Sequence, residues 1–287
     1  RYEIYNTGHP QEDYFNMYRI DDKSDLKEAV LYVDYKTNIR EHNMAAAGRE
    51  AGCGFSKSFV ESFLCSDGLP ISLSNKYLGD ETMRKETANR DPRLKQLILT
   101  NDFPTNVTDD LKDSTFVVNE DEFITQHCFT GYRPIKGFNP IYSQALYMKS
   151  SFDGIAYRYA ETLLINAEAK AELNTITDAD LDRTINQLRD RVGMPHLTVN
   201  VGFTDPKWPD WGYSLSPVLQ EIRRERCIEL AGEGFRFNDL KRWKAGKVLN
   251  NVLTYVGKRK PDGNLAIVYP NYTNPDLSYQ AGKSRTW

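Results

Sequence analysis

The sequence predicts a mainly α fold, with tightly built helix pairs in its second half and long irregular loops with a few short strands in its first. Two observations carry this. Between residues 157 and 245 apolar positions recur at helical spacing, and each run is bracketed by start and stop residues. Over the first 150 residues turn formers alternate with short β-rich runs, and no comparable helical periodicity is sustained. Apolar residues are 40% and charged residues 27% of the 287, the balance of an ordinary globular chain.

Taken in order, Glu28-Ala29-Val30-Leu31-Tyr32-Val33-Asp34-Tyr35 is rich in β-formers and reads as a strand. A loop over 36–54 ends in the Gly-rich stretch Gly48 to Gly54. Phe55, Phe59, Phe63 and Leu64 fall at helical spacing, which predicts a short helix over 56–65. Asp67-Gly68-Leu69-Pro70 is a turn, and a second helix is expected over 80–89 with Asp80 as its cap. From 91 to 150 turns alternate with β-like runs such as Ser114-Thr115-Phe116-Val117-Val118. A strong helix is expected over 157–173, broken by Asn174-Thr175-Ile176-Thr177. Asp178 or Asp180 caps the next, which runs to Val192 and stops at Gly193. After a polar loop over 195–216, Pro217 opens a helix reaching Ala231, Gly232 and Gly234 make a turn, and 235–245 is the last helix. Two antiparallel pairs of this length resemble tetratricopeptide-type repeats. The expected division is an irregular part over 1–150, a helical part over 151–250 and a loop-rich tail over 251–287.

A formal charge of −3 argues against a nucleic-acid partner. No apolar run approaches the ~20 residues of a membrane helix. The opening Arg1-Tyr2-Glu3-Ile4, without Met, reads as the middle of a longer chain. Cys53, Cys65, Cys128 and Cys227 lack CxxC spacing, so a structural zinc site is not expected. Cys227 falls on the apolar side of its helix and is expected to be buried.

Motifs for catalysis are absent. His9, His42, His127 and His196 form no HExxH, and there is no GxSxG elbow and no GxGxxG. Lys57 stands at the wrong distance from the glycines for a phosphate loop. Asp109-Asp110 and Asp121-Glu122 are carboxylate pairs in sequence only, and solvated loops explain them. The expectation is a binding protein with no enzymatic activity and no cofactor or metal.

Five segments carry a resemblance. They are Asp67-Gly68-Leu69-Pro70; Arg90-Asp91-Pro92-Arg93-Leu94; Arg158-Tyr159-Ala160-Glu161 with its helix to Ala169; Ile185-Asn186-Gln187-Leu188-Arg189-Asp190-Arg191 with Gly193-Met194-Pro195; and Glu221 to Ala231 continuing through Glu233-Gly234-Phe235-Arg236 to Trp243. In this order they resemble the landmarks of the SusD/RagB family of outer-membrane nutrient-binding lipoproteins. The resemblance implies a SusD-like fold whose N-terminal helical half is missing here, and a lipid anchor that this chain lacks. It implies non-catalytic capture of an oligosaccharide at the cell surface and delivery to a SusC-like TonB-dependent transporter. A scaffold that docks the transporter with little ligand contact is the alternative. In the residues themselves, the interleaved Arg and Glu of 221–229 read as pairs tying helices together, with a basic anion-binding patch as the rival. Trp243 reads as a core anchor.

A sugar offers a weakly polar C–H face and a rim of hydroxyls, so aromatic rings beside Asn, Asp, Arg or Gln are the chemistry to seek. Two segments supply it. The first runs from Tyr35 through Asn38, Arg40, His42, Asn43 and Arg49 to Phe55, placed before Asp67-Gly68 where the family resemblance puts part of a glycan site. The second is Trp208-Pro209-Asp210-Trp211-Gly212-Tyr213. Its tryptophans serve either as stacking platforms or as a hydrophobic clasp folded onto the helices.

Overall fold

The structure, a computed structural model, describes residues 2–44 and 54–267. Among these, helices dominate and strands occur only as three two-stranded antiparallel sheets. β1 (Ala29–Val33) pairs with β4 (Gly154–Arg158), β2 (Pro104–Val107) with β3 (Ser114–Phe116), and β5 (Val256–Arg259) with β6 (Leu265–Ile267).

The short helices of the first half are α1 (Asp13–Asn16), α2 (Lys57–Glu61), α3 (Met83–Thr87) and α4 (Arg93–Leu97). Ser56 caps α2 by accepting from the Phe59 amide, and Thr82, not Asp80, caps α3 by accepting from the Lys85 amide. Asp80 is drawn instead into ion pairs with Lys57 and Arg259. Helix α4 is an addition to the sequence reading, which took this stretch for turns and β-like runs.

The second half follows its periodicity more closely. α5 (Tyr159–Glu172) emerges directly from β4, so Tyr157 and Arg158 belong to the strand. Where one helix was expected over 178–192 there are two: α6 (Asp178–Asp182) and α7 (Ile185–Arg191). Thr177 and Asp180 form a reciprocal capping box on α6. The Thr184 hydroxyl then donates to the Asp180 carbonyl at 2.6 Å and ends that helix. Gly193 takes φ +65° after α7, the left-handed stop its position implied. α8 (Pro217–Glu229) begins with Ser216 as cap and Pro217 in the first turn, and α9 (Arg236–Arg242) follows the Gly232/Gly234 turn.

The irregular and helical parts share one core. Phe63, Leu94, Leu97, Tyr132 and Phe152 pack in the same buried cluster as Val192, Met194, Ile228 and Ala231. A second cluster lies between α5, α7 and α8 around Leu164, Leu188 and Ile222. A small third one holds Trp211, Trp243 and Ala245.

Candidate functional site

Most of the charged residues that make the five segments recognisable are buried and paired with one another. They build a buried lattice of charge. Arg93, in α4, binds Asp91, Glu225 and Glu229. Arg189 takes the other oxygen of Glu225. Arg191 pairs with Glu28 and Glu229, and Arg158 with Glu28, Glu229 and Glu233. Arg90 donates to the carbonyls of Val60, Phe63 and Glu86, at and just beyond the C-terminal ends of α2 and α3. Asp67-Gly68 joins by shape: Gly68 sits at φ +81°, and a Cβ there would press on the Pro195 ring at 3.3 Å. The charge mix of α8 ties elements together, as the helix-tying reading held, and the basic-patch alternative fails because its arginines are each paired: Arg223 with Glu172, Arg224 with Asp205 and Arg226 with Asp239.

With those groups consumed, the open chemistry lies beside them. A groove of about 1050 Å³ runs between α2, the 205–211 loop, α8, the Gly232–Phe237 turn and residues 247–254. On one wall Phe55 stacks on Phe59, with ring centroids 4.5 Å apart and planes 29° from parallel. Trp208 stands on another wall, its indole N–H fixed to Glu221 at 2.7 Å. Phe237 reaches into the opening with 70% of its surface exposed. Polar groups interleave with these rings: Ser58, Gln220, Asn250, Asn251 and Arg236. Flat apolar faces with amide and guanidinium donors at the edge suit a ligand that is itself flat-faced and hydroxyl-rimmed.

The two sequence-selected segments therefore meet only in part. Phe55 and Trp208 line the groove together. Trp211 borders it from within but is only 3% exposed, its ring set edge-on to Trp243 at 5.4 Å. Its indole N–H donates to Gln220 at 2.6 Å. This is the clasp arrangement, and it leaves Trp211 no free face for a ligand. Tyr213 turns the other way. Its hydroxyl donates to the Trp243 carbonyl and accepts from Arg223, and its ring borders a shallower hollow of about 510 Å³ with Glu168 and Arg242. Trp243 is buried and donates to Glu168, as expected of an anchor.

The upstream residues form a separate, self-satisfied corner. His42 sits edge-on between Tyr35 and Phe152, at 4.4 and 4.6 Å. Its Nε2 meets the Phe152 carbonyl at 2.8 Å while Nδ1 accepts from the Met44 amide, and burial pulls its pKa down. Both features match a neutral imidazole used to close a loop. Asn43 accepts from the Met148 amide, and Asn38 occupies the left-handed position of an exposed turn. None of these four borders the groove. Arg49 and Cys53 lie outside the described residues.

Sequence reasoning missed Phe237, Asn250, Asn251 and Arg236 as groove residues. The Phe235-Arg236-Phe237 run directly after two glycines was the available signal. In sequence it marks the start of a helix, where α9 does begin, and carries no mark of a rim. Cys227, expected to be buried, is half-buried and lines the groove. α8 packs its Ile222 and Ile228 inward and leaves Cys227 between those faces. Among the described residues no cluster of His, Cys, Asp or Glu is disposed to hold a metal ion.

The model of the SusD family matches residues 8–283. Among solved structures, a SusD-like protein from Bacteroides fragilis superposes with a TM-score of 0.61 at 26% identity, over 86% of this chain and 49% of that one. A SusD-like carbohydrate binding protein from the same species gives 0.58 at 23% identity, over 85% of this chain and 50% of that one. The chain thus spans about half the length of these structures. No curated protein matches it. The fold agrees with the SusD-like, mainly α architecture that the five segments implied, and the match runs through all of them: the chain belongs to the SusD family.

Proposed function

We propose that this chain forms the ligand-holding part of a non-catalytic oligosaccharide-binding protein. In this reading the protein is lipid-anchored at the outer membrane and passes its ligand to a SusC-like TonB-dependent transporter. The observation that carries the reading is the groove in which the stacked Phe55–Phe59 pair and Trp208 stand among Gln220, Asn250 and Asn251. Aromatic faces for the sugar C–H surface and amides for its hydroxyls are the two halves of carbohydrate recognition. Family membership supports it, as does the carbohydrate-binding description of one structural relative.

Binding without turnover is favoured by the state of the groove's acids. Glu61, Asp205, Asp210 and Asp239 are each ion-paired to a lysine or arginine. Glycoside hydrolysis needs one carboxyl kept protonated to serve the leaving group, and a cation alongside works against that. The test is calorimetry of the chain with a panel of purified oligosaccharides, beside a reducing-end assay on the same panel. Phe55→Ala and Trp208→Ala should each weaken binding roughly five- to tenfold, for the loss of about 1–1.5 kcal/mol of stacking. Tyr35→Ala should not. Loss of binding in Tyr35→Ala with full affinity in Phe55→Ala and Trp208→Ala moves the site to the His42 corner. Steady release of reducing ends sinks the non-catalytic reading.

A further inference from the structure

The groove's charges do not balance, and the excess falls on one residue. Among the described residues, six cationic side chains and four carboxylates line it. Each carboxylate has a cation from the same lining: Glu61 with Lys207 at 3.0 Å, Asp205 with Arg224 at 2.6 Å, Asp210 with Lys247 at 3.3 Å and Asp239 with Arg226 at 2.8 Å. Arg223 is neutralised from outside the groove by Glu172 at 2.7 Å. Arg236 remains. Among the described residues it makes no ion pair and no hydrogen bond, and its guanidinium only faces the Trp243 ring, at 6.0 Å. It is half-buried, between Phe235 and the protruding Phe237. A chain of net charge −3 that leaves this guanidinium without an acidic partner among the described residues, on the lining of the groove, has placed positive potential there against its own overall sign.

We infer that the groove takes an anionic oligosaccharide, with Arg236 as the residue that meets the charged group. The inference rests on the proposed function and narrows it to glycans bearing carboxylate or sulfate. A guanidinium matches either anion through two parallel N–H donors, and its hydrogen bonds to a charged acceptor are roughly twice as strong as neutral ones. Phe237 and the Phe55–Phe59 pair would then cover ring faces while Arg236 fixes register along the chain. A neutral glycan has nothing to offer this guanidinium beyond a hydroxyl.

The experiment is calorimetry of the 287-residue chain with two pairs of probes. These are a galacturonic acid hexamer, the same hexamer fully methyl-esterified, and a sulfated oligosaccharide beside its desulfated form. A panel of neutral hexasaccharides runs alongside. At least one anionic probe should bind about tenfold or more tightly than its neutral counterpart. That gap should shrink as salt rises. Arg236→Gln should abolish the gap while leaving thermal unfolding within a degree or two, and Arg236→Lys should restore part of it. The uronate and sulfate arms tell which anion is preferred. Equal binding of charged and neutral forms, or a gap that survives Arg236→Gln, overturns the inference and leaves the proposed function standing. No binding of any probe, neutral panel included, overturns both.

Discussion

Arg191 and Glu229 meet through two hydrogen bonds of 2.6 and 2.7 Å, and neither side chain reaches solvent. The same carboxylate also takes Arg158 and Arg93, so one glutamate near the end of α8 gathers guanidiniums from α7, β4 and α4. Such a lattice adds little net stability over an apolar core of the same shape, but breaking it strands charge in a dry interior. Glu229→Gln keeps the shape and removes the charge. It should lower unfolding free energy by about 3–5 kcal/mol, measured by urea denaturation with unchanged m. A loss under about 1 kcal/mol would show that the lattice relaxes or admits water.

Glu233 gives the pH dependence its sign. Burial alone would raise its carboxyl, but Arg158 and Lys136 more than reverse this and hold its pKa at about 2, below the ordinary 4.5. A folded-state pKa below the unfolded one means that the unfolded chain binds more protons between these values. The contribution, about 3 kcal/mol, is therefore present above pH 4.5 and lost as pH falls towards 2. Stability of Glu233→Gln should be well below wild type at pH 7, and the gap should close steadily under pH 4.5. A gap that stays constant down to pH 3 would contradict the assignment.

Much of this interior was legible in the sequence, and the groove only through Phe55, Trp208 and Trp211. Periodicity placed α5 and α8 because their apolar stripes are long, and Ser216-Pro217 and Gly193 marked ends whose backbone chemistry is local. The split between α6 and α7 escaped because it depends on Thr184 bonding back to Asp180, a side-chain choice that competes with a pattern otherwise continuous. α4 escaped because five residues are too few to show a period. The alternation of Arg and Glu in α8 told correctly that its charges tie neighbouring elements together, but not which partners they take. Composition favours the loop of Tyr35 and His42 over the segment of Trp208 and Trp211. Only packing separates His42, bonded on both nitrogens, from Trp208, held by its N–H with a wall of the groove as its place.

Cys227 should report on the groove. Cys65 and Cys128 are buried, and burial pushes both thiols above the ordinary range. Cys227 is half-buried on the groove lining. In the native chain a maleimide should therefore modify Cys227 well ahead of Cys65 and Cys128, read peptide by peptide in a mass spectrometer. A ligand seated in the groove should slow that reaction without changing the rates at Cys65 and Cys128. Equal rates at all three would mean that labelling proceeds through unfolding and that the groove does not admit the reagent.

The clasp between Trp211 and Trp243 makes the last prediction. The rings stand edge-to-face at 88°, and the Arg223 guanidinium lies over both, at 5.0 and 4.5 Å. Each indole N–H is also spoken for, by Gln220 and Glu168. Removing either ring opens a cavity and frees a buried acceptor, so Trp211→Ala and Trp243→Ala should each cost about 3–5 kcal/mol in urea unfolding. The two losses should not add. Once one ring is gone, the other has lost its edge contact and Arg223 has lost half its cover. The double variant should accordingly fall short of the sum by about 1 kcal/mol or more, the scale of an aromatic pair with a shared cation. Additivity within about 0.3–0.5 kcal/mol would show that the tryptophans stabilise the helices separately. In that event the 205–211 loop would owe its position to Glu221, which holds Trp208, and to Arg224, which holds Asp205, and Trp211→Ala should then leave the groove wall at Trp208 in place and oligosaccharide affinity unchanged.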